Sequence, residues 1–131
     1  MKTAIALTTL ILTLPLAACS EDEPAVCGSV DELQASVDDA KEVDVTASDD
    51  LAGLQSALRA VESDFADVKA DAKTEFSAQV DAVETSLAAL QTRVEAAQAG
   101  PAADTLAAAG SALTAVGTEV QKLIDDVKST C

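Results

Sequence analysis

The sequence predicts an all-α fold: a long central helix with two antiparallel flanking helices folded back on it. Three observations predict this. From Ser48 to Ala99 there is no proline and a single early glycine, Gly53. Along that stretch apolar residues recur at Leu51, Leu54, Leu58, Val61, Phe65, Val68, Ala72, Phe76, Val80, Val83, Leu87, Leu90, Val94 and Ala97. The steps are threes and fours, the spacing of one helix face. Cys27 and Cys131 stand at the two ends of the helical sequence, where ends that fold back would meet.

Composition bounds what such a chain can be. Its 131 residues suit one domain, and its only aromatics are two phenylalanines, with no histidine, tryptophan or tyrosine. Alanine dominates the apolar fraction, so the chain suits close-packed helices rather than a thick aromatic core. A net charge of -15 opposes binding to nucleic acid or anionic lipid headgroups. The plainest use of so much acid is a solvated surface, with weak cation binding or a basic partner as the functional alternatives.

The N-terminus reads as a leader. Lys2 supplies a positive start, and Ala4 to Leu14 is an apolar run interrupted by threonines. That run is too short to span a bilayer. Leu16-Ala17-Ala18-Cys19 follows it. These four residues resemble the lipobox of bacterial lipoproteins, in which a leucine and two small residues precede a cysteine that is lipidated and becomes the first mature residue. The resemblance covers the first twenty residues and implies a signal peptide over 1–18 and a lipid anchor, such as palmitate, on Cys19. It implies a protein on the extracytoplasmic face of a bacterial membrane, in the lipid-anchored cell envelope. An ordinary secretory cleavage that leaves Cys19 free is the alternative. Residues 19–27 form an acidic tether, and the stretch between Cys19 and Cys27 reaches roughly 25–30 Å at about 3.3–3.6 Å per residue.

The lipobox claims one of three cysteines. The export signal places Cys27 and Cys131 outside the reducing cytosol, and an even pair bracketing residues 28–131 reads as a disulfide. Free thiols, intermolecular pairing and a metal site are the competing readings. A conventional zinc site lacks ligands here unless carboxylates fill in.

The helices follow in order. Ser29 and Glu32 form a capping box for a first helix over 29–42, with Val30, Leu33, Val37 and Ala40 on one face. Val43 to Ala47 alternates β-branched residues and reads as an extended connector. Asp44 to Gln55 fails as a calcium loop because the glycine and final glutamate are missing from their positions. Ser48 caps the long helix, with Asp49 and Asp50 in its first turn. At about 100° per residue, a straight helix running from Leu51 to Val80 returns to within roughly 20° of its starting face. That agreement favours one continuous helix. Gly100 and Pro101 mark a stop and restart, glycine at C′ and proline at N1. The third helix carries Leu106, Ala109, Leu113, Val116, Val120, Leu123 or Ile124, and Val127 on one face. Gly110 and Gly117 lie one heptad apart and could mark a close helix crossing; Phe65 and Phe76 read as core filler.

At 1.5 Å per residue the three helices measure ~75–80, ~20 and ~45 Å, so the two flanking helices would meet near the middle of the long one. A four-helix up-down bundle, with a break near residue 70, is the alternative. It buries more apolar area per residue and also brings the two cysteines to one end.

No histidine, glycine-rich phosphate loop or metal-ligand cluster nominates catalysis, so the expected protein is not an enzyme and needs no cofactor. The expectation is a non-enzymatic structural or protein-interaction module, held to the membrane through Cys19, with an envelope protein or cell-wall partner and no nucleic acid. The alternatives are a lipoprotein binding a small or apolar ligand between its helices, and a self-associating coiled coil resembling the small murein-type lipoproteins.

Overall fold

The computed structural model describes residues 24–46, 48–72 and 74–131. The leader, the lipobox through Cys19 and the tether up to residue 23 lie outside them. Four α-helices carry the fold, with no strand among the described residues: α1 (Ala25–Glu42), α2 (Leu51–Ala72), α3 (Ser77–Ala99) and α4 (Ala103–Lys128). The all-α expectation holds. The single helix expected over Ser48–Ala99 is replaced by two, and the alternative four-helix up-down arrangement is the one adopted.

Side-chain pairings fix the directions. Ser29 meets Asp71 while Ser36 meets Asp64, so α1 runs antiparallel to α2. Lys69 pairs with Glu84 at 2.8 Å, and Leu58 and Val94 line a shared groove, so α2 opposes α3. Gln79 reaches Asp126 at 2.7 Å across the α3–α4 hairpin. Lys128 pairs with Asp31 at 3.0 Å, and Gly117 lies under Lys41, which makes α4 antiparallel to α1. The helices close a ring in chain order, and the α2–α3 side is the most open of its four faces.

Each helix buries one stripe. Val26, Val30, Leu33, Val37 and Ala40 come from α1, and the predicted positions of α2, α3 and α4 are all buried, Leu123 and Ile124 both included. Spacing that alternates threes and fours is the pattern of helices packed knobs-into-holes at small crossing angles. With no tryptophan or tyrosine, that core is built from Leu, Val, Ala and Ile with Phe65 and Phe76.

The break between α2 and α3 has a physical reason. Ending a helix leaves up to four carbonyls and four amides without intrahelical partners. A straight helix would bury its first half only against α1 and its second half only against α4. Folding it in half adds the α2–α3 and α1–α4 contacts. Apolar burial at ~25 cal/mol per Å² then outweighs the lost helical hydrogen bonds. Phe76, at the end of the turn, is buried at 6 % exposure, and its carbonyl accepts the first hydrogen bond of α3 from Val80.

Three local expectations are corrected. α1 begins at Ala25 rather than 29, with Pro24 at its N-cap and no side-chain cap, so the tether ends three residues earlier. The Ser29 hydroxyl turns to Asp71 on α2 instead of capping its own helix. Starting early adds Val26 and Cys27 to the buried stripe, a gain a cap at Ser29 would forfeit. Ser48–Asp50 forms one turn of 3-10 helix ahead of α2, which starts at Leu51. Pro101 lies outside α4 rather than at its first position, and Gly100 caps α3 at φ -149°, not left-handed.

The glycines make room for the shortest helix and its connector. α1 has 18 residues against 26 in α4, so the connector covers the distal end of the core. Val43 and Val45 are half-buried there: a Cβ on Gly53 would lie 3.9 Å from Val43, and one on Gly110 would lie 3.1 Å from Val45. Gly117 admits the Lys41 side chain, whose Cε would sit 2.5 Å from an added Cβ. The close approach expected at Gly110 and Gly117 is therefore real, but its partners are the connector and the end of α1.

Candidate functional site

Three surfaces remain once the stripes are buried. The first is the pole where the chain enters. Pro24 and Ala25, the turn through Thr74, Glu75 and Phe76, and Thr130, next to Cys131, line one groove of about 520 Å³. Cys27 and Cys131 close this pole as a disulfide, with Sγ atoms 1.95 Å apart and Cα atoms 6.2 Å apart. Cys27 is 4 % exposed, whereas Cys131 lies at the surface. The fold therefore brings together the two cysteines paired from sequence, and the residue following the tether lies at the same pole.

The second surface is the outer side of α1 and α2, and it is acidic. Glu32 on α1 and Asp64 and Asp67 on α2 each place a carboxylate oxygen within 4.8 Å of the other two. Sequence reading missed this grouping because 32 and 64 become neighbours only when α1 and α2 pair antiparallel. Carboxylates gathered this way, Glu32 and Asp67 exposed and Asp64 half-buried, give a negative potential that favours cations and basic surfaces in general.

The third surface is the outer side of α3 and α4 in the half of the bundle away from the disulfide. Residues 85–118 carry three charged side chains, Arg93, Glu95 and Asp104, in a chain with 31 (8 basic plus 23 acidic). Glu95 lies toward α2, beside the groove with Gln55 and Arg59, and Asp104 sits in the first turn of α4. Arg93 is exposed on the same stripe of α3 as Ala89 and Ala96, and the other exposed positions of this stretch are mostly Ala, Thr, Ser and Gln.

The connector supplies one shifted carboxyl. Asp44 Oδ1 accepts from the Thr46 hydroxyl at 2.5 Å and from the Thr46 amide at 2.9 Å. The hydroxyl and then the amide hold the Asp44 carboxyl below its ordinary range, because both favour its charged form.

The interior offers little space beside these surfaces. Leu33, Leu54, Leu90, Leu123 and Ile124 are buried to 1 % exposure or less and fill the ring. The remaining described grooves lie on the outside, between helix pairs. The surfaces and fold together define an acidic, disulfide-closed four-helix bundle whose chain enters at the stapled pole. Comparison with protein-family models, with curated proteins and with solved structures finds no match to this chain.

Proposed function

We propose that the protein is a lipoprotein of the bacterial cell envelope, anchored through Cys19, that works without catalysis as a structural or protein-interaction module. One observation carries the reading: a lipobox-like Leu16-Ala17-Ala18-Cys19 ends five residues before Pro24, at the pole closed by the disulfide. A tether of that length spans ~17 Å at most, so the pole rests near the bilayer and the faces of the bundle project outward. The multiple acyl chains that a lipobox cysteine implies hold far more firmly than a single chain, so such an anchor keeps the domain on the membrane. The disulfide fits an oxidising compartment. The long, sealed helices supply outer faces for contact with an envelope protein or the cell wall.

The test has two parts. Metabolic labelling with a palmitate analogue should mark the full chain, and Cys19→Ala should abolish the label and release the protein from membranes. Chemical cross-linking of intact envelopes should then recover a partner with the anchored protein. Unlabelled, soluble wild-type protein would refute the anchor; labelled protein that cross-links to nothing would refute the interaction role.

A further inference from the structure

The turn between α2 and α3 contains no residue that requires it. Asp71 to Ser77 holds neither glycine nor proline, and Ala72, Lys73 and Glu75 favour helix. The chain doubles back because its two halves bury more apolar surface together, and that gain does not require both halves to belong to one copy. We propose that the hairpins α1–α2 and α3–α4 are exchangeable between two copies of this chain. With residues 51–99 straightened into one helix, the α1–α2 hairpin of each copy closes against the α3–α4 hairpin of the other. The Cys27–Cys131 bond decides between the two forms, and the exchange does not depend on the membrane anchor.

Packing makes the hairpins separable. α1 packs most closely on α2 and α3 on α4, whereas the hairpins meet along α1–α4 and the open α2–α3 side. Each apolar stripe is complete within its own half, from Leu51 to Ala72 and from Val80 to Ala97. Straightening the turn therefore leaves every stripe intact and changes only the copy that covers it. It also restores helical hydrogen bonds that the turn gives up. Exchange of an identical element is a low-cost route to a pair of copies.

Charge favours this route over contact between outer faces. Each copy carries a net charge of -15, so two outer faces brought together repel. Exchange instead rebuilds the interior contacts and leaves Glu32, Asp64 and Asp67 in their present surroundings. The Lys69–Glu84 and Lys128–Asp31 pairs form again, now between copies.

The staple joins one hairpin to the other, Cys27 on α1 and Cys131 just past α4, with Cα atoms 6.2 Å apart. In the exchanged pair the same two positions meet in each bundle, but they come from different copies. A bond made within one copy holds its own hairpins together, and two bonds made across copies hold the exchanged pair. Concentration at the time of oxidation sets the outcome. A short connection keeps its two halves at an effective concentration on the order of millimolar, so exchange competes near that concentration.

The test uses the full chain carrying Cys19→Ala, so that Cys27 and Cys131 are the only thiols. A mixture of unlabelled and isotopically labelled protein is reduced and unfolded in urea, then refolded and reoxidised at ~1 µM and at ~1 mM. Non-reducing electrophoresis should show single chains at the lower concentration and about half of the protein in covalent pairs at the higher. Peptide mapping should find Cys27 of one isotope bonded to Cys131 of the other. Small-angle scattering should show a pair about twice as long as the single bundle, because residues 51–99 then span ~75 Å. Thr74 is exposed in the turn. Thr74→Ala should raise the ratio of pairs to single chains about ten-fold or more over Thr74→Gly, since each pair contains two straightened helices that alanine favours. Absence of pairs at the higher concentration would overturn the proposal. So would pairs joined Cys27 to Cys27 or Cys131 to Cys131, pairs no longer than a single bundle, or equal yields from the two Thr74 variants.

Discussion

Removing the Cys27–Cys131 bond tests how much of the bundle's stability comes from closing the chain. The double substitution Cys27→Ala and Cys131→Ser suits the two environments, since Cys27 is buried among apolar side chains and Cys131 is exposed. The cysteines are 104 residues apart in sequence. For a closed loop of that size, the chain-entropy relation gives ~4.7 kcal/mol at 25 °C from restriction of the unfolded state. A domain of this length has a total stability of ~5–15 kcal/mol, so the bond accounts for a third of it or more. Urea unfolding followed by far-UV circular dichroism measures the loss. The midpoint should fall sharply, and the slope should rise because the unfolded chain exposes more surface once it is no longer cross-linked. A loss below ~1 kcal/mol with an unchanged slope would refute the reasoning. It would mean that the α1–α4 contacts and the exposed Lys128–Asp31 pair hold the pole without help from the bond.

Other perturbations probe separate parts of the fold. Gly117→Ala should stabilise by up to ~1 kcal/mol in thermal melts, because the obstructing atoms are the far end of Lys41, which can swing away while alanine improves helix propensity. Gly110→Ala should gain less or lose, because the β-branched Val45 must yield with its backbone. Leu90→Ala, at a position with no exposed surface in α3, should cost ~2–5 kcal/mol in the same melts. Thr46→Ala removes the hydroxyl that donates to the Asp44 carboxylate, so an NMR titration should show the Asp44 carboxyl rising toward its ordinary pKa. Because that pKa is depressed in the folded chain, the turn's stabilisation is present above the ordinary carboxylate pKa and is lost as pH falls through the folded value.

The sequence by itself determined much of the architecture. The positions read as apolar stripes are the buried positions, the Gly100-Pro101 stop separates α3 from α4, and the two cysteines at the ends of the helical sequence are bonded. These features are legible because they depend on local spacing and residue type. The early start of α1 was less legible, since a local capping box at Ser29 competes with burial of Val26 and Cys27, and burial is decided by α2 and α4.

The division of Ser48–Ala99 into α2 and α3 did leave a trace. Within each helix threes and fours alternate, but Val68, Ala72, Phe76 and Val80 are separated by three successive steps of four. In a straight helix this slip cancels the slow drift of a seven-residue repeat, so the angle from Leu51 to Val80 makes one helix look correct. In helices packed at 3.5 residues per turn no drift exists to cancel, and the same slip rotates the second stripe by about 100° from the first. Which frame applies depends on whether partners run along the helix. Residue spacing therefore determined where the apolar stripes lie, whereas tertiary packing decided that two of them face each other and grouped Glu32 with Asp64 and Asp67. Those results depend on antiparallel pairing between distant segments, which becomes favourable only when the whole ring closes and buries every stripe at once.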